Sequence, residues 1–398
     1  MAKILIVVER FYPEDFLVND LVAEWQRRGD DVEVLTQVPS YPFDRIYDGY
    51  ENRRLQTTFE KLPGGREDCP VPVHRVSTVF GYNRSVKRKV LNYLHFGWRT
   101  FWWAVRHGRK YERVFVYHTA ALTMASAVYP MKFLWNRPVS IWTQDLWPDA
   151  VWGFGFRPSW WKAALLNAFV RSIYFCCGRI MVSCRGFVPR IRELTGRAAE
   201  FVPQWDPTEF RPVSRPVADG RPRVFMFAGN LGKPQDLPQV VEGFLQADLR
   251  DAELWFVGGG VMLEPLRELC RARGVAEPRV RFCGRQPKAE MPQWFAQADA
   301  LIISLTAEYR LTLPGKFQSY VKTGKPLVGI LLGDARELIE EHGLGVTADP
   351  DDATAIAAAF RRMADELAAG RGDAYGARGK ALSGKLFNRE DLISRLHG

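Results

Sequence analysis

Two series of short apolar, β-branched runs alternate with amphipathic helical patterns along this chain, and a proline-rich break separates them. In the first series KILIVV is followed by DFLVNDLVAEWQRRG, which sets Leu17, Leu21 and Trp25 on one stripe with Gly29 as its stop, and then by DVEVLT. RVFVYH (113–118), VSIWTQ (139–144) and RIMVSC (179–184) read as further strands. The second series runs RVFMFAG, LPQVVEGFLQ, ELWFVGGG, MLEPLRELCRARG, VRFCG, MPQWFAQA, ALIISL, KFQSYVKTG, PLVGIL and ELIEEHG. Such alternation builds parallel sheets covered by helices, because each crossover must return over the sheet before the next strand begins. At 398 residues there is room for two such cores. The segment PQWDPTEFRPVSRPVADGRPR (203–223), with five prolines, is the natural break. We expect an α/β chain with a first domain over 1–205, a linker over 206–222, a second domain over 223–375 and a helical segment, 376–398, packing back on the first. Two doubly wound lobes would face a central cleft, with a ligand outside the carboxyl ends of the strands.

A hydrophobic content of 47% and a charged content of 25% suit a soluble globular protein rather than a disordered one. The six cysteines (Cys69, Cys176, Cys177, Cys184, Cys270, Cys283) form no CxxC pair and have no histidines at metal spacing, so a reduced, cytoplasmic setting without structural zinc is expected. Residues 1–205 hold 29 Lys+Arg against 19 Asp+Glu, and 206–398 hold 26 against 26, so the whole +10 excess sits in the first half. An acidic partner for that half follows. MAKILIVVERFYP places Glu9 and Arg10 too soon after a short apolar run for a signal peptide. VFVYHTAALTMASAVYPM (114–131) has spanning length, but its His, Thr, Ser and Pro residues favour a strand and a buried helix.

Three stretches of the second half are candidate anion sites at strand ends. Gly229, Asn230, Gly232 and Lys233 occupy the turn after RVFMFAG, where small residues let backbone amides reach an anion and the lysine adds charge. Gly258, Gly259 and Gly260 end ELWFVGGG, which fits either ligand approach or a plain tight turn. TLPGKFQSY sets Pro314, Gly315 and Lys316 at a helix start, where free amides and a cation face the same way. It is not a Walker loop, since Arg310 and Phe317 stand where Gly and Ser or Thr are needed, and no GxGxxG follows the first strand. ATP hydrolysis and NAD chemistry are disfavoured. The DPD at 349–351 reads as a helix cap rather than a metal clamp.

Taken together these residues resemble a known family. FAGNLGKPQD, FVGGG, VRFCGRQPKAEMPQWFAQADALIISL and LPGKFQSYVKTGKPLVG are similar to glycosyltransferase family 4 of the GT-B fold. ERFYPEDFLVNDL, QVPSYPFDRIYDGY, QDLWPDAV and FVPQWDPTEF resemble the bacterial subgroup that builds cell-surface polysaccharides, including colanic-acid and N-acetyl-fucosamine transferases. The resemblance implies two Rossmann-like domains and a retaining, metal-independent transfer of a sugar from a nucleotide diphosphate, a UDP-sugar favoured, with no cofactor. It implies that Asn230 and Lys233 contact the diphosphate, that Arg285 lies beside the nucleobase, and that the amides near Pro314 and Gly315 with Lys316 face the phosphates. Preorganised positive charge would then carry the leaving group in place of a metal. Many members keep two glutamates where this chain has Leu311 and Ser319, so ribose recognition would fall to Ser319, Gln318 or Glu308.

The acceptor should meet the first domain, with Glu9, Asp15, Tyr41, His118 and Asp145 at strand ends or in adjoining loops; His118 and Asp145, with Lys233 and Lys316, are the candidate catalytic residues. Residues 84–113 carry nine Lys+Arg against one Glu, interleaved with tryptophans. Arg84, Lys87, Arg88, Lys89, Trp98, Trp102 and Trp103 suit docking on an anionic membrane, with rings at headgroup level; a core-facing aromatic stripe beneath a solvated basic face is the plainer account, and nucleic acid is disfavoured. The expected enzyme is a peripheral glycosyltransferase at the inner face of the cell membrane, acting on an undecaprenyl-diphosphate-linked glycan. A transferase with a soluble acceptor and a non-catalytic sugar-nucleotide-binding scaffold remain the alternatives.

Overall fold

The computed structural model describes residues 2–42, 44–81, 85–153, 159–208, 220–275 and 277–397. Most of the expected linker, 209–219, therefore lies outside the described residues. The chain divides into two compact units, one of Met1–Pro203 with Glu390–Gly398 and one of Gln204–Arg389.

The first unit contains β1 (Lys3–Val8), α1 (Leu17–Arg27), β2 (Asp31–Gln37), β3 (Leu55–Glu60), β4 (Val71–Val76), α2 (Val86–His107), β5 (Arg113–His118), β6 (Val139–Thr143), α3 (Asp149–Gly153), α4 (Trp160–Cys176), β7 (Arg179–Val182), α5 (Phe187–Thr195) and β8 (Glu200–Phe201). They form one sheet in the order β3-β4-β2-β1-β5-β6-β7-β8. Every pairing is parallel except that of β3 with β4, an edge hairpin that the strand–helix alternation did not reveal. β1 sits in the middle because Ile4, Leu5, Ile6 and Val7 are apolar on both faces and wholly buried. After β5 the expected buried helix is instead two short helical stretches of tighter and wider winding, Leu122–Ala127 and Pro130–Leu134. Pro130, which cannot donate to a preceding turn, stands where they meet.

The second unit contains β9 (Arg223–Ala228), α6 (Leu237–Ala247), β10 (Ala252–Val257), α7 (Leu263–Ala272), β11 (Val280–Gly284), α8 (Met291–Gln297), β12 (Ala300–Ser304), α9 (Lys316–Thr323), β13 (Leu327–Ile330), α10 (Asp334–Glu341), β14 (Gly345–Ala348), α11 (Ala353–Ala368) and α12 (Gly372–Leu386). Its sheet, β11-β10-β9-β12-β13-β14, is parallel throughout. Phe225, Phe244 and Phe360 pack edge to face or tilted in a core that joins β9, α6 and α11. The cap of α11 is Asp352, whose carboxylate accepts from the amides of Thr354 and Ala355, one residue beyond the DPD.

The carboxyl-terminal segment is divided. α12 packs on α9 so closely that a Cβ on Gly376 would lie 2.0 Å from the Gly324 carbonyl oxygen. Only the last helix, α13 (Arg389–His397), joins the first unit, burying Leu392, Ile393 and Leu396. It is pinned there by His397 Nε2 to Asp30 (2.7 Å), by Arg113 donating to the His397 carbonyl (2.8 Å), and by the His397 ring against Trp25.

One side-chain bond ties α9 to the sheet. The Tyr320 hydroxyl donates to the Ala228 carbonyl (2.9 Å) and accepts from the Ala228 amide (2.8 Å), with both residues buried. Tyr320→Phe should leave both backbone groups unpaired and destabilise the second unit by about 1–3 kcal/mol. Chemical denaturation followed by the tryptophans of that unit measures it, and unchanged stability would refute the bracket.

Candidate functional site

In each sheet the strand order reverses beside its first strand, between β1 and β5 and between β9 and β12. At such a switch point the outgoing loops diverge and leave a crevice at the carboxyl edge. Glu9 and His118 flank this point in the first unit; Gly229 and Asn230 begin the loop there in the second.

In the second unit the turn after β9 and the turn after β10 touch backbone to backbone. The Gly229 amide donates to Val257 (2.9 Å) and the Leu231 amide to Gly259 (3.1 Å). A Cβ on Gly258, whose φ is +151°, would fall 1.9 Å from the Gly229 carbonyl oxygen, and one on Gly260 would fall 2.3 Å from that of Leu231. The glycine run is thus required by the approach of these two chain segments. Gly229, Asn230 and Lys233 remain exposed on top of this platform, and Arg285, after β11, is exposed beside Gly259.

Lys316 comes to the same edge from α9. Pro314 and Gly315 precede the helix, with Gly315 exposed at its start. The Lys316 ammonium lies 3.6 Å from the centre of the Phe227 ring, and a Cβ on Gly229 would approach it to 3.4 Å. Its Nζ is inaccessible and has no hydrogen-bond partner among the described residues, although the stem keeps some exposure. Burial lowers its pKa to about 7. A cation–π contact offsets part of that cost and leaves three N–H donors unused. Gln318 is buried, and its amide nitrogen, turned toward the loop, donates to Pro314 (3.2 Å) and Gly315 (2.7 Å). It braces the turn. Ser319 is half-buried and Glu308 exposed.

In the first unit His118 ends β5 fully buried, its ring facing the Ala120 backbone at a geometry short of a full hydrogen bond. Burial pushes it down to about 3, so the imidazole is neutral at ordinary pH. The neighbouring Ala120 is held at φ 58° and its amide donates to Asp145 (2.7 Å). Asp145 stays solvent-accessible, yet the protein packed round it pushes its carboxyl upward against the pull of that amide and of Lys89. Glu9 is buried, lies 3.4 Å from Arg10, and has one oxygen without a hydrogen-bond partner; burial raises it also. Asp15 and Tyr41 are exposed in the loops after β1 and β2. Sequence reasoning passed over Glu14, which accepts from the Ser40 and Tyr41 amides (2.8 and 2.6 Å) and faces Arg10 (3.5 Å), so it ties those two loops together. A glutamate six residues after a buried strand carries no periodic signal that distinguishes it from a surface charge.

Further along, α2 buries Phe96, Gly97, Thr100, Trp103 and Ala104 and exposes Val90, Leu91, Leu94, Trp98 and Trp102. Lys87 and Arg88 are exposed and Lys89 half-buried; Arg84 lies outside the described residues. Trp103 corrects the expectation of a membrane contact: it is buried between His74, His107 and Tyr111, because its position falls on the same stripe as Phe96 and Thr100. On α4, Trp160, Trp161, Leu165 and Phe175 are also exposed. Among the described residues no helix is long and apolar enough to cross a membrane, and no group of three His, Cys, Asp or Glu is placed to hold a metal ion.

Residues 17–205 match the family described as glycosyl transferase 4-like domain, and residues 222–366 match glycosyl transferases group 1. A probable glycosyltransferase, WbjE of Pseudomonas aeruginosa, is 26% identical over 217 residues, 51% of this chain and 52% of that protein, so the match spans about half of its length. Among solved structures, sucrose-phosphate synthase from Thermosynechococcus elongatus superposes with a TM-score of 0.72 at 14% identity, covering 99% of this chain and 97% of that one. HepE of Anabaena, solved with UDP, gives 0.70 at 13%, covering 99% and 98%. WaaG, a glycosyltransferase involved in lipopolysaccharide biosynthesis, gives 0.63 at 12%, covering 99% and 100%.

An isolated amine of this kind has a direct signature. In a 13C-methylated lysine NMR titration, one resonance should change with a midpoint near 7, neutral above and charged below. It should vanish in Lys316→Met. If all lysines titrate near 10, the burial of this ammonium is refuted.

Proposed function

From the premise that this chain is a glycosyltransferase of the GT-B fold, as its two family matches and its architecture make it, we propose that it transfers a sugar from a UDP-sugar to a lipid-diphosphate-linked glycan during surface-polysaccharide assembly. The observation that carries this reading is the buried, unpartnered Lys316 ammonium beside the exposed Gly229–Asn230–Lys233 turn. A group so placed has paid for desolvation before any ligand arrives, and a dianionic leaving group is what recovers it. Exposed Lys233 is proposed to add a second charge, Arg285, exposed beside Gly259, to meet the nucleobase, and the Gly315 end of α9 to favour an anion through its helix dipole. The presence of UDP in HepE supports the choice of nucleotide.

Transfer is proposed to retain configuration and to use this fixed charge in place of a metal. The glycosidic bond to the diphosphate breaks as the acceptor hydroxyl bonds to the same face of the anomeric carbon, and the departing phosphate takes the hydroxyl proton. Neutral His118 is suited to hydrogen-bond a sugar hydroxyl, since its proton is not lost or gained near pH 7. Asp145 and Glu9 are proposed to accept hydrogen bonds from the incoming glycan. With the paired glutamates replaced and Gln318 occupied, Ser319 and Glu308 are left to meet the ribose. The exposed apolar stripe of α2, flanked by Lys87 and Arg88 and joined by exposed aromatics of α4, supports a peripheral seat on an anionic bilayer where a lipid-linked acceptor resides. WaaG, involved in lipopolysaccharide biosynthesis, supports the polysaccharide context.

Release of nucleotide from a panel of sugar nucleotides, with and without a lipid-linked acceptor, tests the reading. Lys316→Ala and Lys233→Ala should each lower turnover by about one to three orders of magnitude, as loss of one preorganised donor does. UDP binding should also raise the Lys316 midpoint above 7, so binding at pH 8 takes up a proton and weakens as pH rises. Calorimetry in buffers of different ionisation heat reads that uptake. Full turnover in both variants, or no release with any donor, would sink the proposal.

A further inference from the structure

We propose that the groove between the β3 edge and the second half of α2 is a binding site for the phosphate of an anionic membrane phospholipid. The groove encloses about 700 Å³, within the range of ligand pockets. Arg54 stands at its β3 side, and Arg99, Arg106 and His107 at its α2 side, with no carboxylate lining it. Among the described residues none of the three arginines has an ion-pair partner. Arg54 and Arg99 repel one another: Arg99 is lowered from its ordinary value by burial and then by the charge of Arg54. His107 is pushed down by burial and by Lys110, His74 and Arg106. Gathering these cations without a carboxylate among them costs stability, so an anion between the guanidiniums is the arrangement that offsets it.

What surrounds the groove selects a lipid over a free anion. Trp98 and Trp102 form one wall and Leu55 another, at 62%, 36% and 46% exposure. Arg106 lies over the Trp102 ring at 5.4 Å and donates to the Trp102 carbonyl, so the cation and the ring are presented together. Leu91 and Leu94 continue the same exposed stripe toward the start of α2. Indole rings and apolar side chains collar an arginine cluster at the depth where a bilayer carries its phosphates above its acyl chains. A soluble phosphate would gain nothing from that collar. The site rests on the proposed membrane seat, but it differs from the acceptor, since it lies on the outer side of α2 rather than at the Glu9 and His118 strand ends.

The test compares two pairs of charge removals on one helix. Binding of the full chain to phosphatidylcholine vesicles with and without phosphatidylglycerol is measured by co-sedimentation for Arg99→Gln/Arg106→Gln and for Lys87→Gln/Arg88→Gln. General attraction to a charged surface predicts equal losses; a phosphate pocket predicts a loss at least about tenfold greater for the first pair. Monomeric short-chain phosphatidylglycerol should saturably shift the Trp98 and Trp102 indole signals, and inorganic phosphate at the same concentration should not. Thermal melting checks the fold, and Arg106→Gln alone, at an exposed position, decides the case if the double variant melts early. Equal losses for the two pairs, or equal shifts with inorganic phosphate, overturn the pocket while leaving the membrane seat standing. Failure of the unaltered protein to bind any vesicle overturns both.

Discussion

A charged amine held against an aromatic ring without a hydrogen-bond partner is the constraint around which the second unit is arranged. Lys316 can occupy that position only because α9 is fixed to β9 by the Tyr320 bracket on Ala228, one residue beyond Phe227. α12 presses on α9 through glycines, and the Phe317 ring meets Phe387 from the other side. Removing any of these would let the ammonium relax toward water. The rigidity of the helix is therefore electrostatic in purpose and apolar in means.

The glycines between β9 and β10 serve the same end by a different route. Because the Gly229 and Gly258 segments meet without side chains between them, the turn carrying Asn230 and Lys233 is supported from beneath by backbone hydrogen bonds. A loop so supported presents its amides without spending conformational entropy at the moment of binding. In the first unit Glu14 does comparable work, tying the β1 and β2 loops around Arg10. Both loops start at a strand end beside the switch point, where the sheet leaves space.

Much of this was legible in the residues. The runs KILIVV and RVFMFAG proved to be the central strands, because apolar character on both faces specifies burial on both faces. β3 and β4 escaped notice, since LQTTFE alternates weakly and VPVHRV carries a proline, Pro72, which lies just before the Val73–Val76 stretch that pairs with β2. The position of Lys316 was legible as a helix start; its contact with Phe227 was not, for it depends on a tyrosine hydroxyl reaching across 92 residues of chain. Trp103 and Trp102 are adjacent in sequence and opposite in fate, which only the phase of the helix decides. The triple glycine admitted two readings until the Gly229 carbonyl was found lying against it.

The cations of the sequence fall into two kinds that behave differently. Lys316 is withdrawn from water, poised near neutrality, and restrained to one geometry, so its interaction with an anion is specific and little affected by salt. Lys87 and Arg88 on α2 are exposed, and long-range attraction to a negative surface needs neither fixed geometry nor burial. Arg99 and Arg106 stand between these cases, unpaired like Lys316 yet open to the outside like Lys87. Burial, more than the number of cations, separates a residue that can stabilise a departing phosphate from one that only brings the protein to a charged surface.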